Sequence, residues 1–276
     1  MSGWSGRTIA TMAGTALALL ATLTTPSPAR TQGIASLEVA GTQFRIRLTD
    51  GSLLLQERLV GARLAFTDGA GRQIRFRIES IAQDPRDEEI LLYRIVVADP
   101  ASGGWSEFCA PDADGQRLAF PLAGSWDETG RQGPAAPGAF TMACTSGAIG
   151  KCVRFGYKPW KTAPDGGSLE PYHRACVRMV RADYCGDGAP HTRDGTAIDV
   201  FDRQGIQTPD RAPDMRFEAG WGPGGATCLA RPRLPDIVSL DDMLRACPRL
   251  APRSGPACDE ASARRDPAAL LFNLSR

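Results

Sequence analysis

The chain has 276 residues, with 32 Lys+Arg against 31 Asp+Glu for a formal charge of +1, and 42% of its residues are hydrophobic. That length is enough to bury a substantial core, as one large domain or two small ones. A balance so close to neutrality lends no electrostatic support to a nucleic-acid partner, so none is expected.

Residues 1–29 read as an export signal. Arg7 precedes an apolar run from Ile9 to Leu23, and small residues at Ser27 and Ala29 form a cleavage site. The run is interrupted by Thr and Gly and falls short of the ~20 residues that a membrane span needs. No later segment reaches that length, so no span is expected after signal removal, and the expected location is periplasmic or secreted. Eight cysteines (Cys109, Cys144, Cys152, Cys176, Cys185, Cys228, Cys247 and Cys258) all lie beyond the first hundred residues. After an export signal, an even set of this kind is expected to form four disulfides, in one of about a hundred connectivities.

From Ser36 to Ala98 the pattern alternates as strands do: Phe44-Arg-Ile-Arg-Leu48, Leu64-Ala-Phe66, Ile74-Arg-Phe-Arg-Ile78 and Leu91 to Val97, with turn residues at Thr49-Asp50-Gly51 and Asp68 to Gly71. This predicts a small antiparallel β-rich domain over residues 36–100. Asp99 to Gly104, polar and small, is the expected boundary. Residues 104–250 form the expected cysteine-rich α/β domain. In it, Glu128 to Gly138 reads as an exposed loop, Ala148 to Phe155 as a short helix and Thr196 to Phe201 as a strand. Phe217 to Trp221 and Ala226 to Ala230 read as a hairpin, and Ser239 with Asp242 as the start of a helix. Residues 251–276 are a tail in which Asp266-Pro267 opens a helix from Ala268 to Asn273. The fold class expected is α+β, with a central helix in the second domain.

That central helix runs from Leu169 to Tyr184. Ser168 is its expected N-cap, Pro171 sits in the first turn, and Gly186 ends it. Leu169, Tyr172, Cys176, Met179 and Val180 recur at three- and four-residue spacing and form the buried stripe. Cys176 and Cys185, nine residues apart, would lie roughly 13 Å apart along a helix axis against a disulfide limit of about 7 Å, so they should not pair. A bridge from Cys152 to this helix fits instead. Asp183 falls on the buried stripe near the helix end, where the dipole is unfavourable. It is expected to accept from the N–H groups of the loop that follows.

The tetrad Ala182-Asp183-Tyr184-Cys185, followed by GDG, HT, DGT and Ile198-Asp199-Val200, resembles the signature of the ADYC-domain family of bacterial proteins. The block from Cys144 to Trp160 is similar to that family too, and the likeness covers roughly residues 104–250. It implies no particular activity, cofactor or substrate.

Four constellations offer chemistry. Cys176-Val-Arg-Met179 resembles the end of the nucleophile motif of L,D-transpeptidases, but no histidine precedes His173 to serve as base, and a half-cystine is the competing reading. His173, Cys176, Cys185 and His191 are zinc-ligand types, yet the helix geometry keeps both cysteines from one ion, so no metal and no cofactor is expected. Asp187, Asp194 and Asp199 lack a calcium-loop spacing and read as turn and strand-end caps. Asp183 or Cys185 with His191 as base would make a hydrolase, against a histidine that simply fixes its loop. Finally, the only lysines, Lys151, Lys158 and Lys161, cluster with Arg154, Tyr157 and Trp160 as a binding face for envelope polysaccharide or another envelope protein, or as core and solvated surface. The expectation is a non-enzymatic binding or structural module of the cell envelope. The alternative is a cysteine-dependent envelope transferase or hydrolase.

Overall fold

Alternation of apolar and basic residues governs the first strands. β1 (Ile34–Ala40) pairs antiparallel with β2 (Gln43–Leu48), in which Phe44, Ile46 and Leu48 are buried while Arg45 and Arg47 are exposed, and β3 (Leu53–Leu54) completes a three-stranded sheet. These details come from a computed structural model that describes residues 33–67, 71–134 and 136–276. The expected export signal over residues 1–29 lies outside the described residues.

β4 (Arg63–Thr67), β5 (Gln73–Asp84), β6 (Asp87–Ala98), β7 (Trp105–Glu107), β8 (Leu118–Ala123) and β9 (Phe140–Cys144) form a second sheet in the order β4-β5-β6-β8-β9, with β7 also on β6. Its edge strands meet through side chains, since Phe66 of β4 and Phe140 of β9 lie 5.7 Å apart, and Phe140 also touches Phe44 at 5.1 Å. Phe44, Ile46, Phe76, Ile78, Tyr93, Phe120 and Leu122 fill the space between the two sheets.

The Asp99–Gly104 stretch is a turn inside this sheet. Asp99 N donates to Gly104 O, Gly103 N donates to Asp99 O, and β7 folds back on β6. β8, from beyond the expected boundary, also pairs with β6 through Tyr93 and Ala119. Residues 33–276 accordingly cluster as one compact unit. A short polar, glycine-containing run marks a tight turn as readily as a linker, which is why the sequence suggested two domains.

α1 (Ala148–Arg154) packs under β9 so closely that a Cβ at Gly150 would stand 2.1 Å from Cys144 O. α2 (Glu170–Arg181) is the central helix, shorter than expected at both ends. Leu169, not Ser168, is its N-cap, and Ser168 Oγ accepts from Glu170 N. It stops at Arg181, five residues before Gly186, because Ala182 turns left-handed at φ 51°. Asp183 N then donates to Arg178 O and Ala182 N to Met179 O, closing a Schellman-type end.

α2 lies on one face of a four-stranded antiparallel sheet of β10 (Ile198–Asp202), β11 (Arg216–Gly222), β12 (Gly225–Leu229) and β13 (Leu271–Ser275), ordered β10-β13-β11-β12. α3 (Leu240–Ala246), capped by Ser239, and α4 (Glu260–Arg265), capped by Asp259, complete the chain. The helix expected from Ala268 to Asn273 is instead β13. Asp266 Oδ1 accepts from Ala268 N, so Asp-Pro closes a turn after α4 rather than opening a helix. Alternation then works on both faces of β13: Leu271 joins the core under α2, while Phe272 and Leu274 join a smaller core with Phe201 and Ala263 of α4.

Three disulfides staple this unit: Cys109–Cys144, Cys152–Cys176 and Cys228–Cys258, with Cα separations of 5.6, 5.7 and 5.6 Å. Each is of the kind that stabilises by about 3–4 kcal/mol for a loop of this length. The second ties α1 to α2, as the spacing suggested. A fourth bridge is not made, for Cys185 and Cys247 are free thiols. The loop from Glu128 to Gly138 is largely exposed as expected, apart from Gly130, which sits against Val177 of α2 so that a Cβ there would come within 2.8 Å of it. Among the described residues no helix is long and apolar enough to cross a membrane.

Candidate functional site

The loop that leaves α2 holds the tetrad, and each member has a separate task. Ala182 makes the left-handed turn. The Asp183 carboxylate, fully buried, accepts from Gly186 N at 2.8 Å and Gly188 N at 3.0 Å, as expected from the sequence, and also pairs with the Arg178 guanidinium one turn back on α2. Tyr184 OH donates to Glu218 Oε1 at 3.1 Å and accepts from Arg233 N at 2.8 Å, and its ring stacks on Trp221. Burial, together with the negative charge of Glu218, holds the Tyr184 hydroxyl protonated, well above the usual tyrosine range. Cys185 turns its thiol to α3, with Sγ 3.7 Å from Met243 Sδ. Gly186 follows at φ 76° and lies against the β11–β12 turn, where a Cβ would stand 2.0 Å from Gly224 O. Only glycine fits there on both counts.

Beneath the loop lies a charge network that the sequence did not reveal. Arg233 donates to both oxygens of Glu218 at 3.0 Å, to Met179 O at 2.7 Å and to Val180 O at 3.2 Å, so one guanidinium neutralises Glu218 and caps the last turn of α2. Asn273 Nδ2 donates to Glu218 Oε2 at 2.7 Å, and Asn273 Oδ1 accepts from Trp221 Nε1 at 2.8 Å. Glu218 reaches this face because the register of β11 against β13 shifts between Phe217 and Ala219. The bulge leaves Phe217 with the α4-side core and turns Glu218 and Ala219 toward α2.

The residues singled out for catalysis are dispersed. Cys176, the nucleophile candidate, is fully buried in its bridge to Cys152, and a half-cystine has no thiolate to offer. His173 is fully buried, with Nδ1 3.0 Å from Tyr157 O; a carbonyl only accepts, so Nδ1 carries the proton and Nε2 is left without a partner. His191 donates its backbone N–H to Arg181 O at 3.0 Å, and its Nδ1 lies 3.2 Å from Ala182 O, so it holds the loop against the end of α2. His173, Cys176, Cys185 and His191 are not brought around one point, and among the described residues no group of three His, Cys, Asp or Glu side chains is placed to hold a metal. Asp187 accepts from Ala189 N, and Asp199 from Asp210 N and Arg211 N, in the capping roles expected.

Burial, only partly offset by the hydrogen bond to Tyr157 O, lowers the pKa of His173 from 6.5 to about 4. The unfolded chain therefore takes up this proton before the folded one does. The neutral histidine's contribution is complete above pH 6.5 and is lost as pH falls towards 4, a difference of about 2–3 kcal/mol. We expect urea midpoints to fall over that window in the wild type and to fall less in His173→Asn, which keeps a donor for Tyr157 O. Parallel pH profiles would show that His173 titrates as it does in the open chain.

The expected binding face is broken up in the same way. Tyr157 is fully buried and donates to Asp202 Oδ2 at 2.9 Å. Arg154 pairs with the buried Asp84 at 2.6 Å and stands 3.7 Å from Asp112. Lys158, 8% exposed, bridges Asp87 at 2.6 Å and Glu89 at 2.7 Å, and Lys161 reaches the same Glu89 at 2.7 Å. Hydrogen bonds from Lys158 and Lys161 hold the Glu89 carboxyl down at about 2. Lys151 is half-buried on α1, which leaves Trp160 and Lys161 as the exposed members. Lys158 and Lys161 bind β6 to the segment between α1 and α2, so this part of the charge cluster marks a seam between elements.

A different concavity opens where the second sheet curls on itself. Phe66, Ile74, Val97, Phe108, Phe140 and Met142 line a cleft of about 690 Å³, with Arg75 among its polar lining. It continues the core between the sheets out to solvent, since five of those six side chains pack partly buried against that core.

A family model for the ADYC domain matches residues 56–235, which takes in β4 through β12, α1, α2, the tetrad and both Glu218 and Arg233. No curated protein and no solved structure matches the chain. With more than half of its length matched, and with the tetrad at the hinge between its central helix and its four-stranded sheet, the chain belongs to the ADYC domain family.

Proposed function

We propose that this chain is an exported, non-enzymatic binding module of the cell envelope, in which the tetrad is a structural hub and the apolar cleft of the second sheet receives the acyl chain of an envelope lipid. The observation that carries this reading is the cleft itself: about 690 Å³, walled by aromatic and aliphatic side chains at the open end of a curled sheet, with an arginine in its lining. That size and composition suit a ligand with an apolar body and an anionic head. Three disulfides support a location outside the reducing cytoplasm. The cysteine-dependent reading built on Cys176 loses its nucleophile to the bridge with Cys152.

The test is displacement of a fluorescent apolar probe by a long-chain fatty acid. Val97→Arg puts a charge on the cleft wall and is expected to weaken binding by about tenfold or more while the melting temperature holds, since Val97 is only partly buried. Absence of saturable binding by the wild type, or equal binding by the variant, would remove the cleft as the ligand site.

A further inference from the structure

The two thiols left out of the disulfides are not scattered. Met243 of α3 and Cys247, the residue that caps its C-terminus, are joined by Cys247 N donating to Met243 O at 2.8 Å, and both pack in the core with Cys185 of the tetrad loop. Cys185 meets them from that loop, with Sγ 3.7 Å from Met243 Sδ, and packs in the same core cluster as Cys247. Met243 is fully buried, Cys247 is 5% exposed and Cys185 is half-exposed, so the cluster is enclosed on the protein side and open through Cys185.

We propose that Cys185, Cys247 and Met243 form a three-sulfur site for a soft monovalent metal ion, Cu(I). Two thiolates and a thioether are the donor set that selects Cu(I) over harder ions, whereas zinc takes four donors of the nitrogen, oxygen and thiolate kind. The spacing fits too: two sulfurs bound at about 2.3 Å to one first-row metal stand about 3.8–4.0 Å apart, close to the sulfur separation already present. Two neutral thiols and one Cu(I) give a bis-thiolate, thioether-ligated ion of net charge −1 and release two protons, with no change of oxidation state. Arg249 stands beside the site to offset that charge. Its guanidinium donates to Cys185 O at 3.1 Å and Tyr184 O at 2.9 Å and favours the Cys185 thiolate, while Asp187 opposes it. Because binding releases two thiol protons, affinity for the metal rises with pH.

The site is separate from the apolar cleft, and either can fail alone. The experiment is titration of the full chain, its three disulfides intact and Cys185 and Cys247 as free thiols, with Cu(I) under anaerobic conditions, in competition with bathocuproine disulfonate. We expect one Cu(I) per chain, three sulfur scatterers by X-ray absorption, and affinity rising by up to about a hundredfold per pH unit. Cys185→Ser should abolish high-affinity binding. Met243→Leu, which keeps the volume of the buried side chain and so the fold, should weaken it about tenfold or more. Wild type that takes no Cu(I) from the chelator, or Met243→Leu that binds as tightly as wild type, overturns the proposal. So does a protein that reoxidises to a fourth, Cys185–Cys247 disulfide even with Cu(I) present, since the pair is then a bridge.

Discussion

Arg233→Met is expected to lower folding stability by about 3–5 kcal/mol, the cost of leaving one partner of a buried ion pair without the other. The substitution keeps an unbranched apolar stem, so packing loss is a minor part of the change. What disappears is the counter-charge of Glu218, which is fully buried, and two donors to the last carbonyls of α2. Glu218 keeps Tyr184 OH and Asn273 Nδ2 as donors, which soften but do not replace a guanidinium. Glu218→Gln should cost less, because the amide oxygen still accepts, and the double variant should lose less than the sum of the singles. Urea unfolding of the three variants decides it. A loss below about 1 kcal/mol for Arg233→Met would mean that Glu218 is neutralised some other way or is reached by solvent.

Period and turn chemistry made most of the elements legible. β2, β5, β6, α2 and the β11–β12 hairpin sit where alternation or helical spacing placed them, because each has one face whose apolar residues repeat. Asp183 was legible as a hub because a carboxylate near the end of an apolar stripe must find donors, and a glycine-rich loop supplies them. β13 was misread because it is buried on both faces, which erases alternation, and because Asp-Pro begins a turn as well as a helix. The domain boundary failed for a related reason, as no local signal tells a turn between paired strands from a linker.

The site was less legible than the fold, since its parts come from distant segments. Nothing near Glu218 announces that a bulge turns it toward Tyr184, nor that Arg233 crosses to the end of α2. A sequence signal for the sulfur cluster did exist, in Met243 and Cys247 four residues apart on a helix that Ser239 begins. Its third member became visible only when the loop was folded. The lysine cluster taught the reverse lesson: three rare residues close in sequence suggested a surface, and Asp87 and Glu89 on β6 draw two of them, Lys158 and Lys161, into a seam.

Asp183→Ala tests whether the tetrad is a hub in the same sense. The donors on Gly186 and Gly188 alone would set a loss of about 1–3 kcal/mol when their acceptor is removed. Arg178 raises the expectation to about 3–5 kcal/mol, because its side chain is 8% exposed and the substitution strands its charge beside the core. Asp183→Asn keeps one acceptor for the loop but no charge for Arg178, so it should fall between wild type and Asp183→Ala. Adding Arg178→Met to Asp183→Asn should then recover part of the loss, since no unpaired charge remains. The loop is the hinge between α2 and the β11–β12 turn, so hydrogen exchange at Gly186 and Gly188 should quicken more in Asp183→Ala than the global loss alone requires. Equal melting temperatures for wild type and both Asp183 variants would show that the loop is held by the backbone contacts of Gly186 and by His191, and that the carboxylate for which the tetrad is partly named contributes nothing to the fold.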